Sequence, residues 1–118
     1  MSELTSAMLE DACTKYVERV GDENVDSLME LFAEGCVVED PVGSDKRVGL
    51  DDVRAFYETL PGAGVSAKLV GPVHAVAEAR TAAFPFEIDT NGFVMSVIDV
   101  MTFDENGLIT SMTAYWKM

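Results

Sequence analysis

Apolar residues at Leu4, Met8, Leu9, Ala12, Cys13, Tyr16, Val17 and Val20 recur at helical spacing and form one stripe of a predicted first helix. Gly21 supplies its stop. Asp22 or Asn24 can cap a second helix that carries Val25, Leu28, Met29 and Phe32 on one face and ends near Gly35. Cys36 to Asp40 reads as a short strand terminated by Pro41, and PVGSDKRVG, which begins at that proline, reads as a loop. Asp51 is a suitable N-cap for a third helix through Val53, Phe56, Tyr57 and Leu60, closed by PGAG.

After Gly64 the helical spacing gives way to strand-like sequence. Segments 65–70, 73–79, 80–90, 93–103 and 108–117 are rich in Val, Ile, Phe, Thr and Met. Asn91-Gly92 between two of them is a hairpin signal, and DENG at 104–107 is another connection. Three helices followed by most of a sheet give an α+β expectation: one domain over residues 1–118, its helices packed on a strongly curved, mostly antiparallel sheet. One helical layer on a bent sheet leaves a conical pocket between them.

One position breaks the pattern. In VMSVIDVMTF, at 94–103, Asp99 points to the same side as Met95, Val97, Met101 and Phe103. Residues 81–116 contain no Lys or Arg, so no cation close in sequence can pair with it. Such an acid either lies on an exposed face or is buried and takes a proton, since an unpartnered buried carboxylate is very costly. Protonated, it is a hydrogen-bond donor. Tyr16 and Tyr57 lie on the core-facing stripes of their helices, either as ordinary core tyrosines or as further donors. Asp40 follows the apolar same-side residues Cys36 and Val38, and is either a turn-opening Asp or a second carboxyl at the pocket. His74, the single histidine, reads as a surface or satisfied core residue, and Lys46 and Arg47 as a solvated loop pair.

Composition narrows the ligand. A net charge of −13 opposes nucleic acid and anionic membranes and favours a neutral, apolar partner. The apolar runs are far shorter than the roughly 20 residues of a membrane span, and no secretion signal is recognisable. Cys13 and Cys36 read as reduced core residues of a cytoplasmic protein. The sequence contains no phosphate-binding glycine loop, metal-ligand cluster or Ser/His/Asp set, so neither a cofactor nor a metal is expected.

Several motifs together carry a family resemblance: Tyr16 on the first helix, VVEDPVG at 37–43, VRAFYETL at 53–60, GPVHA at 71–75, FPFEI at 84–88, VIDVMTFDENG at 97–107 and AYW at 114–116. Over nearly its whole length the chain resembles the steroid Δ5-3-ketoisomerases, the ketosteroid isomerase branch of the cone-shaped nuclear-transport-factor-2-like superfamily. The resemblance implies that Asp40 is the general base, that Tyr16 and Asp99 form an oxyanion hole, and that Tyr57 holds Tyr16 in place. Ketosteroid isomerase is a known example of an acid kept neutral by an apolar site.

The reaction implied is isomerisation of a 3-oxo-Δ5-steroid to its 3-oxo-Δ4 form through a dienolate, without cofactor or metal, in a homodimer formed through the outer sheet face. Phe56, Leu60, Phe84, Phe86, Val97, Met112, Ala114 and Trp116 are expected to line the steroid cavity. Phe32 stands where some relatives carry a further tyrosine, so the hydrogen-bond chain is expected to end at Tyr57. The alternatives are a polyketide cyclase or dehydratase of the same fold, or a non-catalytic carrier of hydrophobic ligands. The dehydratases generally need paired histidines, and the fold's epoxide hydrolases an arginine between two acids.

Overall fold

The computed structural model describes residues 3–22, 24–59 and 64–117. Helix α1 (Ser6–Gly21) starts at Thr5, whose hydroxyl accepts from the Met8 N–H at 3.2 Å. It buries Leu9, Cys13, Tyr16, Val17 and Val20, the stripe that the spacing predicts. Of the two candidate caps for α2, Asn24 fills the position, accepting from the Ser27 N–H at 3.1 Å.

Helix α2 is shorter than predicted. It spans Val25–Met29, and Phe32 opens strand β1 (Phe32–Glu39) instead of extending the helix. Two observations explain the difference. The Leu31 carbonyl accepts from the Ile109 N–H at 2.8 Å, so the sheet claims this backbone, and Gly35 has φ +74°, which a right-handed helix does not admit. The register shift between Phe32 and Val37 marks a bulge that bends β1.

The loop expected after Pro41 contains a short strand, β2 (Arg47–Val48), paired antiparallel with β1. Gly49, not Asp51, occupies the N-cap of α3 (Leu50–Tyr57). The entry is fixed by Asp52, whose Oδ2 accepts from the Val48 N–H at 2.9 Å, leaving Asp51 as a first-turn acid favourable to the helix dipole. Leu60 and the following PGA lie outside the described residues.

The remaining strands are β3 (Val65–Leu69), β4 (His74–Val76), β5 (Thr81–Thr90), β6 (Phe93–Phe103) and β7 (Ile109–Trp116). The predicted strand over 73–79 is divided, because residues Ala77–Ala79 form a 3₁₀ turn. The sheet order is β2-β1-β7-β6-β5-β3, with β4 also on β5. Every pairing is antiparallel except β1 with β7. Asn91-Gly92 makes the expected two-residue hairpin, with φ +53° and +90° at its two positions. A second register shift, between Thr102 and Phe103, adds to the bend. The concave face buries Ala82, Phe84 and Phe86 of β5, Val97, Met101 and Phe103 of β6, and Met112 and Ala114 of β7. Helix α1 packs against β3, β4 and β5, and α3 against β1 and β2. Among the described residues no helix is long and apolar enough to cross a membrane.

Candidate active site

Asp99 is the one carboxyl in the buried core among the described residues, 1% exposed. The register explains its surroundings: on β6 it stands opposite Phe84 of β5 and Ala114 of β7, between Val97 and Met101 on its own face. Neither carboxyl oxygen has a hydrogen-bond partner. Burial drives its pKa well above the ordinary value, and the neighbouring Asp40 charge adds to the rise. The Tyr16 hydroxyl, close by but outside bonding geometry, acts the other way. The group is therefore held in its neutral form with a proton to donate.

Tyr16 and Tyr57 meet there from α1 and α3, their hydroxyls 2.8 Å apart. The Tyr16 ring is fixed by edge contacts to Phe32, Phe84 and Phe86, with centroids 6.1–6.4 Å away. Phe32 also packs on Tyr57 at 5.7 Å. Burial first, then neighbouring groups including Asp99 and Asp40, raise both phenols well above their ordinary range, so both remain protonated donors at neutral pH.

Asp40 follows the last residue of β1 and is half-buried. Its Oδ1 accepts from the Trp116 indole N–H at 2.8 Å, a bond between the end of β1 and the end of its parallel neighbour β7. The backbone beyond it is tied down twice. The Val42 N–H donates to the Ala114 carbonyl at 2.7 Å, and the Gly43 N–H to Glu39 Oε2 at 2.7 Å. Burial raises the Asp40 pKa, while the Trp116 donor lowers it.

Between the helices and the sheet lies a cavity of about 230 Å³. Tyr16, Tyr57, Asp40 and Trp116 supply polar groups to its wall, and Phe56, Phe86 and Val97 supply apolar surface. Phe84, Met112 and Ala114, expected in the lining, belong to the buried core rather than to the wall. They share the concave face, but alternation along a strand specifies the face and not the depth. Asp99 is likewise outside the wall, in the buried layer beside Tyr16.

The wall also contains Val20, Thr59, Val65, Ile88 and Thr90, which the sequence reading omitted. Val20 could have been found as the residue four after Tyr16 on the same helix face, and Ile88 and Thr90 as continuations of the Phe84–Phe86 alternation. His74, Lys46 and Arg47 are exposed, with the Arg47 guanidinium 5.4 Å from the centre of the Phe56 ring. Cys13 and Cys36 are buried free thiols, and burial pushes Cys13 up to about 12. Among the described residues no cluster of three or more His, Cys, Asp or Glu is placed to hold a metal ion.

The arrangement is thus one half-buried carboxyl, two buried phenols and an indole N–H around an apolar chamber, with a second, fully buried carboxyl beside it. Comparison with known proteins agrees with this fold. Residues 13–112 match the family model of the SnoaL-like domain. The chain is 40% identical to the steroid Delta-isomerase of Nocardioides simplex, over 94% of its own length and 91% of that protein. It is 29% identical to the epoxide hydrolase LasB of Streptomyces lasalocidi, over 83% of its own length and 43% of that longer protein. Among solved structures, the epoxide hydrolase/cyclase-like enzyme SalBIII, studied for pyran-ring formation in the polyether salinomycin, superposes with a TM-score of 0.84. Its identity is 26%, covering 95% of this chain and 92% of that one. The chain belongs to the SnoaL-like domain family.

Proposed function

We propose that this protein is a steroid Δ-isomerase that converts 3-oxo-Δ5-steroids to 3-oxo-Δ4-steroids. The observation that carries the proposal is the pair of carboxyls in unlike settings. Asp99 is fully buried with both oxygens unpartnered among the described residues, and burial pushes its pKa well above the ordinary value, while Asp40 is half-buried at the cavity wall. The relation to the Nocardioides simplex steroid Delta-isomerase supports the same reading.

In this mechanism the steroid enters with its C3 oxygen towards Tyr16 and Asp99. Asp40 removes the C4 proton, which lies between the carbonyl and the alkene. The resulting dienolate gathers charge on the C3 oxygen, and the two donors stabilise it as it develops. Tyr57 orients the Tyr16 hydroxyl from 2.8 Å. Protonated Asp40 then returns the proton to C6, which requires that water be kept out. The C4–H and C6–H bonds exchange, the double bond moves, and no electrons are gained or lost. Binding comes from apolar surface such as Phe56, Phe86 and Val97, at about 25 cal/mol per Å².

The epoxide hydrolase relatives keep a second chemistry of this fold in view. Among the described residues, however, the cavity wall contains no arginine to accompany its acid, and the sequence of β5 to β7 contains none either. Exposed Ile98 and its register partner Tyr115 form an apolar spot on the outer sheet face, which suits the proposed homodimer, working in the cytoplasm. The decisive assay follows ultraviolet absorbance of the conjugated enone as purified protein is mixed with a 3-oxo-Δ5-steroid. Rapid enone formation above the spontaneous rate is expected, and no acceleration would overturn the proposal.

A further inference from the structure

Six side chains of the cavity wall carry hydrogen-bonding groups. Four of them, Tyr16, Tyr57, Asp40 and Trp116, are used by the mechanism, and two, Thr59 and Thr90, are not. The last two come from opposite sides of the chamber, Thr59 just after α3 and Thr90 at the end of β5. The Thr59 hydroxyl donates to the Phe56 carbonyl at 2.7 Å, which leaves its oxygen free to accept. Thr90 is half-buried, and its hydroxyl makes no side-chain hydrogen bond to another described residue.

The strand register sets an upper bound on how far Thr90 lies from the reacting end. Phe84 is level with Asp99, and Phe86, Ile88 and Thr90 follow on the same side of β5. Thr90 is therefore six residues along the strand from the Asp99 level, ~20 Å of contour at ~3.3 Å per residue and less across the bend. A steroid whose C3 oxygen points to Tyr16 and Asp99, with its rings along Phe86 and Ile88, directs ring D and any short ring-D side chain along the strand towards Thr90.

We infer that Thr90 is a specificity-determining residue whose hydroxyl donates a hydrogen bond to an oxygen at the far end of the ligand. This selects steroids oxygenated on ring D or on a short side chain there over those with an apolar end. The inference rests on the isomerase reading for the ligand's class and orientation. Its physical basis is that a hydroxyl set in an apolar wall loses its water when the cavity fills. A ligand lacking the matching oxygen then leaves it unpaired.

The test is binding of two planar phenolic steroids that differ only in a C17 ketone, measured by fluorescence titration on the wild-type protein and on Thr90→Val, Thr90→Ser and Thr59→Val. The wild type is expected to favour the 17-oxo ligand by about fivefold or more. Thr90→Val should remove most of that preference and Thr90→Ser should keep it, while Thr59→Val should leave it unchanged, because the Thr59 proton is already given to the Phe56 carbonyl and a ketone can only accept. Equal affinities in the wild type, or an unchanged preference in Thr90→Val, would overturn the inference. Enone formation is measured separately on the same samples. A Thr90-dependent preference without turnover leaves the inference standing and removes the isomerase reading instead.

Discussion

Asp40 and Asp99 are the same side chain at two depths, one in the chamber wall and one in the buried layer beside it. Asp40 lies where a strand ends, partly open, with an indole donor on one oxygen. Asp99 lies mid-strand, sealed between Phe84 and Ala114, with no partner on either oxygen. Burial raises both pKa values; at Asp40 the Trp116 donor offsets the rise, whereas at Asp99 the Asp40 charge adds to it and the nearby Tyr16 hydroxyl only opposes it. In the proposed mechanism these unlike environments separate the two carboxyls into a base that can ionise and an acid that keeps its proton. The donor role needs no special residue, only a place on the apolar face of a central strand.

The comparison breaks most visibly at the base. Asp40→Asn keeps the shape and the indole contact but cannot accept the C4 proton, so kcat should fall by about 10²–10⁴-fold or more while phenolic steroids still bind. Retention of more than about a tenth of wild-type turnover would remove Asp40 from that role.

On the donor side, Tyr16→Phe and Asp99→Leu should each raise the barrier by about 2–4 kcal/mol, and Asp99→Asn should lose less than Asp99→Leu because an amide still donates. Tyr57→Phe should cost less than Tyr16→Phe, since Tyr57 acts through its neighbour. The reverse ranking in steady-state kinetics would exchange the roles of the two tyrosines.

Asp99→Leu also has a stability consequence with a definite sign. Above the ordinary aspartate range near ~4, the unfolded chain releases the Asp99 proton while the folded protein keeps it. Wild-type stability therefore falls as pH rises through that window towards the raised folded pKa. Urea unfolding should show Asp99→Leu gaining on the wild type between pH ~4 and neutrality. A constant difference between the two would mean that Asp99 titrates normally in the folded state.

The smallest expected effect sharpens the Asp40 side. The acid limb of the kcat/KM profile should lie above the ordinary aspartate range, because burial raises Asp40. Trp116→Phe removes the donor that favours the charged form, so the limb should move further up. An unmoved limb, or one that moved down, would mean that the indole bond does not tune the base.

Much of this contrast was legible in the chain. Two-residue alternation puts Asp99 on the apolar side of its strand, and the absence of Lys and Arg over 81–116 leaves it no local cation. Helical spacing likewise points Tyr16 and Tyr57 inward. The bond from Trp116 to Asp40 was not legible, because it joins residues 76 positions apart through a parallel pairing that local pattern cannot foresee. Phe32 fits the helical stripe before it equally well, and only its pairing with Ile109 makes it a strand residue. Phe84, Met112 and Ala114 show the same limit in another form. Periodicity gave their side of the sheet, while the packing of Tyr16 against Phe84 decided that they lie in the buried core rather than in the cavity wall.

The central claim is that Asp99 carries a proton at neutral pH. Isotope-edited infrared or carbon NMR titration of the free enzyme, with Asp99 assigned by comparison with Asp99→Leu, reads that proton directly. The account predicts a protonated carboxylic acid signal at pH 7 that persists well above the ordinary aspartate range, with Asp40 ionised in the same sample. A carboxylate signal for Asp99 at pH 7 would contradict it.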